Sequence, residues 1–270
     1  MYLRAAHAEA DIPILQQLIH ENPLGILTTA IKSTDHAFIQ SSHIPFVLDI
    51  PPNNGSETDT PPGVLRGHIA KQNPQAKALM EALAAQQEQA KTSTGTSTTT
   101  TLDLELPDEV LILFNAPHHH YVTPKFYTET KPVSGKVVPT WNYAAVQAYG
   151  KIRVYCDSKS EATGTFLQTQ VEDLSRHAET TQMGYTGVGG KPTAWNVGEA
   201  PSSYVELLKK NIIGIEVRIE RLQGKFKMSQ EMGVGDREGV VKGFEELGSE
   251  VGDGIARMVK ERAELKDRRG

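Results

Sequence analysis

The sequence predicts a mainly β protein with peripheral helices, arranged as an antiparallel barrel or sandwich. About five to seven segments of the 270-residue chain have the alternating or β-branched composition of strands. Few helix-length segments separate these strands, and this spacing favours antiparallel neighbours over a parallel βαβ sheet. The most apolar of them, Glu109–Asn115 (EVLILFN), is expected at the centre of the sheet. The chain contains no internal repeat.

The N-terminal segment is expected to begin extended and then to form a helix. Asp11 is a suitable N-cap, Pro13 suits the first turn, and Asn22-Pro23 ends the helix. Pro45 restricts the second strand to an edge or a bulge, because it cannot donate to a ladder. In chain order, the predicted strands are Leu24–Ile31, His36–Leu48, Val64–Ala70, Glu109–Asn115, the later part of Val137–Tyr155, Ile212–Ile219 and, as a further candidate, Gly224–Ser229.

Two inserts interrupt this pattern and are expected to be flexible loops, residues 51–62 and 86–101. The first is rich in Pro, Asn, Gly, Ser and Thr. The second is a low-complexity run of Gln, Thr, Ser and Gly that buries too little apolar surface to become ordered. A short helix that ends at about Ala85 precedes it. Further along, Ser160–Glu179 has the pattern of an amphipathic helix, and Pro201–Lys210 is expected to form a short one.

The C-terminal tail, Arg237–Arg269, repeats apolar residues every three or four positions. This pattern predicts an amphipathic helix docked on the rest of the protein. Three glycines within it, Gly248, Gly252 and Gly254, each weaken a helix by about 1 kcal/mol relative to alanine. We therefore divide the chain into a domain of residues 1–235 and a C-terminal helix of residues 236–270.

Composition and charge narrow the functional classes. The net charge is −5 and the sequence pI is about 6.0, so direct nucleic-acid binding through a basic face is not expected. No apolar run approaches the roughly 20 residues of a membrane span. Met1–Ala10 lacks the apolar core of a secretory signal. Cys156 is the single cysteine, which excludes internal disulfides and four-cysteine zinc sites. A cytoplasmic protein with no membrane partner is the expectation.

Two local motifs have ordinary explanations. Gly184–Pro192 (GYTGVGGKP) resembles a phosphate loop, but it lacks Lys at the required position and no apolar strand precedes it. His118 and His120 could share a metal ion with a third ligand from His43 or His68, although solvated loop histidines are the commoner outcome. The chain has no Gly-x-Ser-x-Gly elbow, which disfavours a serine hydrolase. We predict no dedicated metal site.

Five segments together form a more specific pattern, and its strongest part combines Pro-Thr-Trp-Asn-Tyr with Gly-His-x-Ala-x-x-Asn-Pro-Gln. Their order and spacing resemble the PaiB-type FMN-binding split-barrel family, whose members are described as negative transcriptional regulators. The resemblance covers most of residues 1–231 outside the two inserts. It implies a split β-barrel of the FMN-binding type with six strands, a homodimer, and FMN in a groove at the subunit interface. The segments are Met1-Tyr2-Leu3, Leu65–Gln75, Val110–Tyr127, Val138–Gly150 and Ile212–Gln230.

The chain departs from the family pattern in three places. Ala76 stands where the family usually has Trp, and the loop that contains His118–His120 is one residue longer. Glu231-Met232 replaces the usual Asn-Arg pair, which removes a cation near a candidate phosphate position.

The phosphate of FMN is doubly charged and needs positive charge and fixed hydrogen-bond donors. The third strand and the helix start that follows it contain both residue types, and a helix N-terminus is itself an anion site. In related split barrels the equivalent strand exit holds the phosphate, so the resemblance places it here. Two of the candidates are cations that also suit ordinary surface positions. The candidates are Arg66, His68, Lys71, Asn73 and Gln75.

The flavin ring needs backbone donors and short polar side chains near its edge. Related barrels line this edge from strands one and two, which implicates Thr28, Ser42 and His43. The Pro-Thr-Trp-Asn-Tyr loop offers a stacking plane and an amide, although its aromatic residues are also suited to plugging a core. The last strand offers further polar side chains. The candidates from the loop and the last strand are Thr140, Trp141, Asn142, Lys227 and Gln230.

Three functions remain open for such a protein. One is an FMN-dependent oxidoreductase that passes hydride from the flavin N5 to a small acceptor, with His43, His68 and His118 as candidate general acids. A second is a flavin-binding regulatory protein without turnover. The third is a haem-binding split barrel that uses His118–His120. FMN is the expected cofactor, and the sequence identifies no catalytic residue.

Overall fold

The computed structural model describes residues 1–52, 60–94 and 105–269. The chain divides into two units. The terminal unit contains both chain ends and consists of residues 1–18, 115–147 and 223–270. The sheet unit consists of residues 19–114 and 148–222. Of the two inserts expected to be flexible, residues 53–59 of the first lie outside the described residues.

The described residues form nine strands. Seven of them are joined in the order β3-β2-β6-β8-β9-β5-β4, and all seven have residues in the sheet unit. The two remaining strands pair within the terminal unit, β1 with β9 and β7 with β8. In chain order, the strands are β1 (Ala8–Glu9), β2 (Leu24–Ala30), β3 (Ile39–Pro45), β4 (Val47–Asp49), β5 (Val64–Ala70), β6 (Glu105–Asn115), β7 (His120–Val122), β8 (Thr140–Tyr155) and β9 (Ile212–Lys227).

The sheet order begins and ends with strands that are consecutive in the chain. β3 ends at Pro45 and β4 begins at Val47, yet they lie at opposite ends of the order. Only Phe46 separates them, so the twisted sheet must curl until its two edges meet. Phe46 is buried, and its N–H donates to the Pro23 carbonyl at 2.9 Å. This curled antiparallel sheet with an open seam confirms the predicted split β-barrel, mainly β with peripheral helices.

The six predicted strands account for the seven strands of this order. The second predicted strand, His36–Leu48, begins later and breaks at Phe46 into β3 and β4. The break occurs because Phe46 leaves the ladder to fill the core, where its ring meets Phe114 edge to face at 6.0 Å. The separate strand suggested for Gly224–Ser229 is wrong, because β9 runs without interruption to Lys227.

Alternation along the strands sorts residues to the two faces of the sheet. In β5, Leu65 and Ile69 are buried on the inner face, whereas Arg66 and His68 lie on the outer face. The buried core of the sheet unit is aliphatic and aromatic. It includes Leu27, Ile44, Phe46, Leu65, Ile112, Phe114, Ile152 and Ile213.

The described residues also form seven α-helices. In the sheet unit, α4 lies on the outer face of β5 and β9, where Phe166 stacks on Tyr155 at 4.0 Å. In chain order, the helices are α1 (Ile12–Glu21), α2 (Pro74–Thr94), α3 (Thr130–Ser134), α4 (Glu161–His177), α5 (Ser202–Lys209), α6 (Val234–Glu245) and α7 (Glu250–Arg269). None of the described helices is long and apolar enough to cross a membrane.

Helix α2 is longer than the sequence predicts. The flexible loop expected from residue 86 is wrong for residues 86–94, which continue the helix to Thr94. Ala, Gln, Glu and Lys dominate this stretch and are good helix formers, and no Gly or Pro interrupts them before Gly95. Residues 95–101 of that predicted loop lie outside the described residues.

The single C-terminal helix that the sequence predicts is wrong, because the tail forms the two helices α6 and α7. The chain turns between them at Gly248, whose φ of +59° lies in the left-handed region that favours glycine. The two helices pack through buried apolar side chains, among them Val240, Phe244, Ile255 and Val259. The apolar repeat therefore indicated helical faces correctly but not the break between them.

Candidate functional site

Arg66 on β5 is held by two carboxylates of the sheet unit. Its Nε and Nη2 donate to Asp49, with Nη2 at 2.9 Å from Oδ1, and Nη2 also lies 2.7 Å from Asp173 on α4. These hydrogen bonds raise the pKa of Arg66 against the opposing effect of burial. Its side chain is only 12% exposed, and Nη1 is buried without a hydrogen-bond partner. The guanidinium charge is therefore already neutralised within the protein.

His68 lies on the same outer face of β5 as Arg66, opposite Gly214 of β9. Burial lowers the pKa of His68. Its Nδ1 is buried without a hydrogen-bond partner. The imidazole is therefore neutral near pH 7 and is not a source of positive charge for a phosphate.

Asn73 and Gln75 fasten the start of α2 to strands β2 and β3. The Asn73 side chain accepts from the Gln75 N–H at 2.8 Å and donates to Ser42 Oγ at 3.0 Å. The Gln75 amide is buried and donates to the Leu27 carbonyl at 3.2 Å and to Thr29 Oγ1 at 3.0 Å. Both side chains therefore stabilise the packing of α2 on the sheet. Lys71, the remaining phosphate candidate, is half-buried beyond the end of β5.

The ring candidates of the sheet unit lie on opposite faces of the β2–β3 pair. Thr28 and Ser41 are directly opposite each other, with their hydroxyl oxygens 2.9 Å apart, and exposed His43 shares their face. Ser42 points to the other face, where it meets Asn73. Alternation along a strand accounts for this separation, so Ser42 and His43 do not line one surface.

The Thr28 face is unusually apolar for an exposed surface. Ile26 pairs with Leu113 and Thr28 with Leu111, which brings half-buried aliphatic side chains of β6 beside the two hydroxyls. Ile39, at the far end of β3, is 65% exposed. We call this surface the β2–β3 face.

In the terminal unit, the start of β8 and the end of β9 are tied together. Lys227 Nζ donates to Thr140 Oγ1 and lies 3.2 Å from the Trp141 carbonyl oxygen. The Trp141 ring is 54% exposed and lies 6.3 Å from Tyr121 and 6.3 Å from His119, measured between ring centroids. The indole is therefore a surface platform rather than a core plug.

Asn142 and Gln230 are buried and serve the tight turn that follows β9. The Asn142 amide and Ser229 Oγ are hydrogen-bonded at 3.1 Å, and the Gln230 side chain accepts from the Met228 N–H at 2.7 Å. Gln230 also donates to the Phe226 carbonyl. Ser229 has φ of +57°, the only positive value at a non-glycine position among the described residues. Neither amide is exposed to a ligand.

The end of β9 has a second lysine, and sequence analysis did not identify its surroundings. Lys225 Nζ lies 5.5 Å from the Tyr143 ring and 5.9 Å from the exposed Tyr2 ring. Burial lowers the pKa of Lys227, and the nearby charges of Lys225 and Arg4 lower it further, against the opposing effects of Glu231 and Tyr143. Two further cations, Lys225 and Arg4, therefore lie near enough to act on Lys227, together with the opposing carboxylate of Glu231.

The three consecutive histidines have separate packing partners. The position a Cβ would take at Gly254 of α7 is 2.3 Å from the His118 ring, so only glycine allows this contact. His120 packs edge to face on Phe244 at 5.4 Å. Within the described ranges, no group of three or more His, Cys, Asp or Glu residues could hold a metal ion.

The structure therefore brings the candidates together in two groups, one in each unit. In the sheet unit, Ser42, Asn73 and Gln75 are joined by hydrogen bonds, and Arg66 has partners that the sequence did not reveal. Asp173 is 107 residues away from Arg66, and no local pattern indicates the pairing. In the terminal unit, Thr140 and Trp141 meet Lys227, while Arg4 was missed because an isolated arginine near the N-terminus has no motif around it.

Comparison with known proteins gives consistent results. A family model described as "Putative FMN-binding domain" matches residues 1–221. A protein of Aspergillus fumigatus is 70% identical over 271 residues, which cover all of both chains. "Protease synthase and sporulation protein PAI 2" of Bacillus subtilis is 26% identical over 126 residues, 47% of this chain and 50% of that protein. A conserved hypothetical protein of Mycobacterium tuberculosis has a similar structure with a TM-score of 0.44 and 12% identity, covering 86% of this chain and 94% of that one.

Proposed function

The chain belongs to the family of FMN-binding domains that this model describes, and from that premise we propose that the protein binds FMN. The match over residues 1–221 is the observation that carries the proposal. It agrees with the resemblance to PaiB-type proteins stated from the sequence. The alternative of a haem-binding barrel has less support, because His118 and His120 are packed against α7 and α6.

The side chains present fit the chemistry of FMN. A planar ring can stack on the exposed Trp141 indole, as aromatic faces commonly do. Considered by itself, the sheet unit offers short polar side chains suited to a ring edge on the β2–β3 face, at Thr28, Ser41 and His43. In the terminal unit, Lys227 uses two of its three ammonium hydrogens within the protein, and the third can donate to a phosphate.

The residues predicted from the sequence to bind FMN differ in whether their side chains can contact it. Thr28, His43, Lys71, Trp141 and Lys227 retain the exposure or charge that a cofactor contact requires. The others are occupied by contacts within the protein, and we propose that they position the first group. These are Ser42, Arg66, His68, Asn73, Gln75, Thr140, Asn142 and Gln230.

We propose that the β2–β3 face joins two copies of the chain. Exposed Leu24 and Ile39, with half-buried Ile26 and Leu111, make an apolar surface that favours burial. A two-fold dimer buries the same face on both subunits, so one apolar surface is sufficient. The hydroxyls of this face would then lie at a subunit interface.

Flavin-dependent oxidoreduction is the activity we propose. When bound, FMN would supply two-electron chemistry for a small acceptor. On the β2–β3 face, the exposed His43 imidazole shares the surface of the Thr28–Ser41 pair and can contact a small acceptor there. His68 is less suited, because it is buried and neutral.

The test of FMN binding is a titration that follows quenching of tryptophan emission. The chain has two tryptophans, so the Trp195→Phe variant leaves Trp141 as the sole reporter. We expect saturable quenching of Trp141 by FMN. Trp141→Ala removes this reporter, so its affinity is measured by flavin fluorescence, and it should fall by about tenfold through loss of stacking. A purified protein that shows neither flavin absorbance nor any response to added FMN would refute the proposal.

The dimer is tested by light scattering on Ile39→Lys, which places a charge in the apolar face. Val133→Lys is the matched control, because Val133 is exposed on α3 and belongs to none of the strands of this face. We expect a dimer mass for the wild type and the control and a monomer mass for Ile39→Lys. A wild-type monomer, or a dimer that survives the substitution, would exclude this interface.

Oxidoreduction is tested by adding NADH or NADPH to the FMN-bound protein. Reduction of the bound FMN, followed by the loss of its absorbance band, distinguishes turnover from simple binding.

A further inference from the structure

Lys225 and Lys227 present two ammonium groups on one face of β9. They are two residues apart in the strand, so their side chains point the same way, while Phe226 between them is buried. The pairing of Lys225 with Ala8 of β1 and the hydrogen bond from Phe226 N to the His7 carbonyl at 2.8 Å fix the backbone here. The two charges therefore have a defined separation and direction.

Both side chains are restrained by their neighbours in the terminal unit. The Lys225 ammonium lies within 6 Å of the Tyr2 and Tyr143 rings, which attract a cation through their faces. Lys227 Nζ donates to Thr140 and the Trp141 carbonyl, which uses two of its three hydrogens. One N–H of Lys227 is left for a ligand.

In the part of the chain that the structure describes, no direct ion pair holds this group of cations, and Glu231 acts on Lys227 only at longer range. Among the described residues, no carboxylate lies within ion-pair distance of Arg4, Lys225 or Lys227. The nearby acidic residue, Glu231, is 3.0 Å from His7 Nε2. Lys225 and Arg4 both act on Lys227 as like charges, so a bound anion would offset the repulsion that Lys227 experiences.

The backbone that carries Lys227 is held in a strained conformation. Ser229, two residues later, adopts φ of +57°, and it is locked there by the buried Asn142 side chain. Backbone strain of this kind persists only where the surroundings enforce it, and it occurs preferentially at ligand sites. The lysines are therefore placed by a built turn rather than by a free strand end.

We propose that Arg4, Lys225 and Lys227 form a phosphate-binding site, the lysine patch, which takes a phosphate monoester attached to a planar ring. The exposed Tyr2 ring lies beside Lys225, and Lys227 contacts the backbone of Trp141, whose indole is exposed, so both residues offer surfaces for that ring. FMN and a free mononucleotide share this chemistry. As applied to FMN, the inference rests on the proposed function. As applied to a mononucleotide, it does not.

The experiment compares four ligands on three proteins. FMN and riboflavin are titrated by flavin fluorescence, and AMP and inorganic phosphate are titrated by calorimetry. The proteins are the wild type, Lys225→Ala/Lys227→Ala, and the control Lys131→Ala/Lys136→Ala. The control removes the same charge from two exposed positions of the terminal unit.

We expect the Lys225→Ala/Lys227→Ala protein to lose about tenfold or more in affinity for each phosphate-bearing ligand that the wild type binds. Riboflavin lacks the phosphate, so its affinity should change little. Lys225→Arg/Lys227→Arg should restore most of the lost affinity. If the double alanine variant does not fold, Arg4→Ala is an exposed substitution that tests the same patch with a smaller loss.

Each outcome decides the proposal. Weaker FMN binding with unchanged riboflavin binding assigns the flavin phosphate to the lysine patch. A wild type that ignores FMN but binds AMP through the patch supports the mononucleotide and refutes the proposed flavin function alone. Unchanged affinities in the lysine variant, or a wild type that binds none of the phosphate-bearing ligands, would overturn the inference.

Discussion

Arg66 on β5 and the lysine patch at the end of β9 differ in whether carboxylates form ion pairs with their cations. Arg66 lies in a motif that the sequence associates with phosphate, but Asp49 and Asp173 already bind it. The lysine patch lies in a segment with a weaker motif, and no carboxylate pairs with it among the described residues. A cation is available to an anionic ligand only when the fold leaves its charge unpaired. The comparison therefore moves the expected phosphate contact from β5 to the end of β9.

The largest effect that tests this comparison is the loss of Arg66. In the sheet unit, Arg66→Ala leaves Asp49 and Asp173 near each other without their shared cation. We expect the free energy of unfolding to fall by about 2–3 kcal/mol, less than for a fully buried pair because Asp49 is partly exposed. Urea denaturation measures this change. FMN affinity should fall by less than the roughly tenfold expected for Lys225→Ala/Lys227→Ala, because the Arg66 charge is paired within the protein.

Arg176→Ala is the matched control for Arg66→Ala. Arg176 also contacts Asp173, but its side chain is 70% exposed, so its removal should cost less than about 1 kcal/mol. The opposite pattern, a large loss of FMN affinity in Arg66→Ala with unchanged stability, would return the phosphate site to β5.

A smaller effect is expected at the turn that holds Lys227. Asn142→Ala leaves the buried Ser229 hydroxyl without its partner, which should cost about 1–3 kcal/mol in unfolding free energy. Ser229→Ala and Ser229→Gly both remove the hydroxyl, but glycine tolerates φ of +57° without strain. Thermal unfolding should therefore rank Ser229→Gly above Ser229→Ala. Equal stabilities would indicate that the backbone at this position is not strained.

The charge of Lys227 predicts a pH dependence of anion binding. Burial lowers the pKa of Lys227, so it loses its proton below the ordinary lysine value of 10.5 as pH rises. The charged or titratable groups that act on it are Glu231, Tyr143, Lys225 and Arg4. We expect phosphate affinity to decrease with rising pH in the wild type and to persist to higher pH in Lys227→Arg. Calorimetric titrations in a pH series measure the difference, and identical profiles would contradict it.

The smallest effect concerns the neutral imidazole of the sheet unit. Burial lowers the pKa of His68 in the folded protein, so the unfolded chain binds more protons as pH falls below 6.5. Stability should therefore decrease with acid through this range, and the loss should level off once the folded state also binds the proton. The difference in unfolding free energy between the wild type and His68→Gln isolates this effect. A difference that does not change between pH 7 and pH 5 would show that burial does not perturb His68.

Local pattern was sufficient for much of the fold. The spacing of apolar and β-branched residues identified six strands, and their close succession indicated antiparallel pairing. Local pattern gave the wrong element boundaries where tertiary contacts determine them. Phe46 splits a continuous apolar run because the core needs its ring, and Gly248 turns a helical repeat because α6 and α7 pack on each other.

The sequence predicted which residues belong to the candidate site. It did not predict which of their side chains remain exposed and unpaired, and so able to contact a ligand. The motif around Arg66 identified a polar strand exit, yet it contained no information about Asp173, which reaches Arg66 from another element 107 residues along the chain. Likewise, the indole of Trp141 and the amide of Asn142 are adjacent in sequence, but only the indole is exposed. Alternation within β8 explains the difference once the buried face is known.

The order of residues alone determined the class of fold, the family and the short list of polar side chains, because periodicity and motif spacing are properties of neighbouring positions. The folded chain decided which of those side chains keep an uncompensated charge or an open face. That outcome depends on partners brought together from distant segments, and pairing between distant charges leaves no local trace.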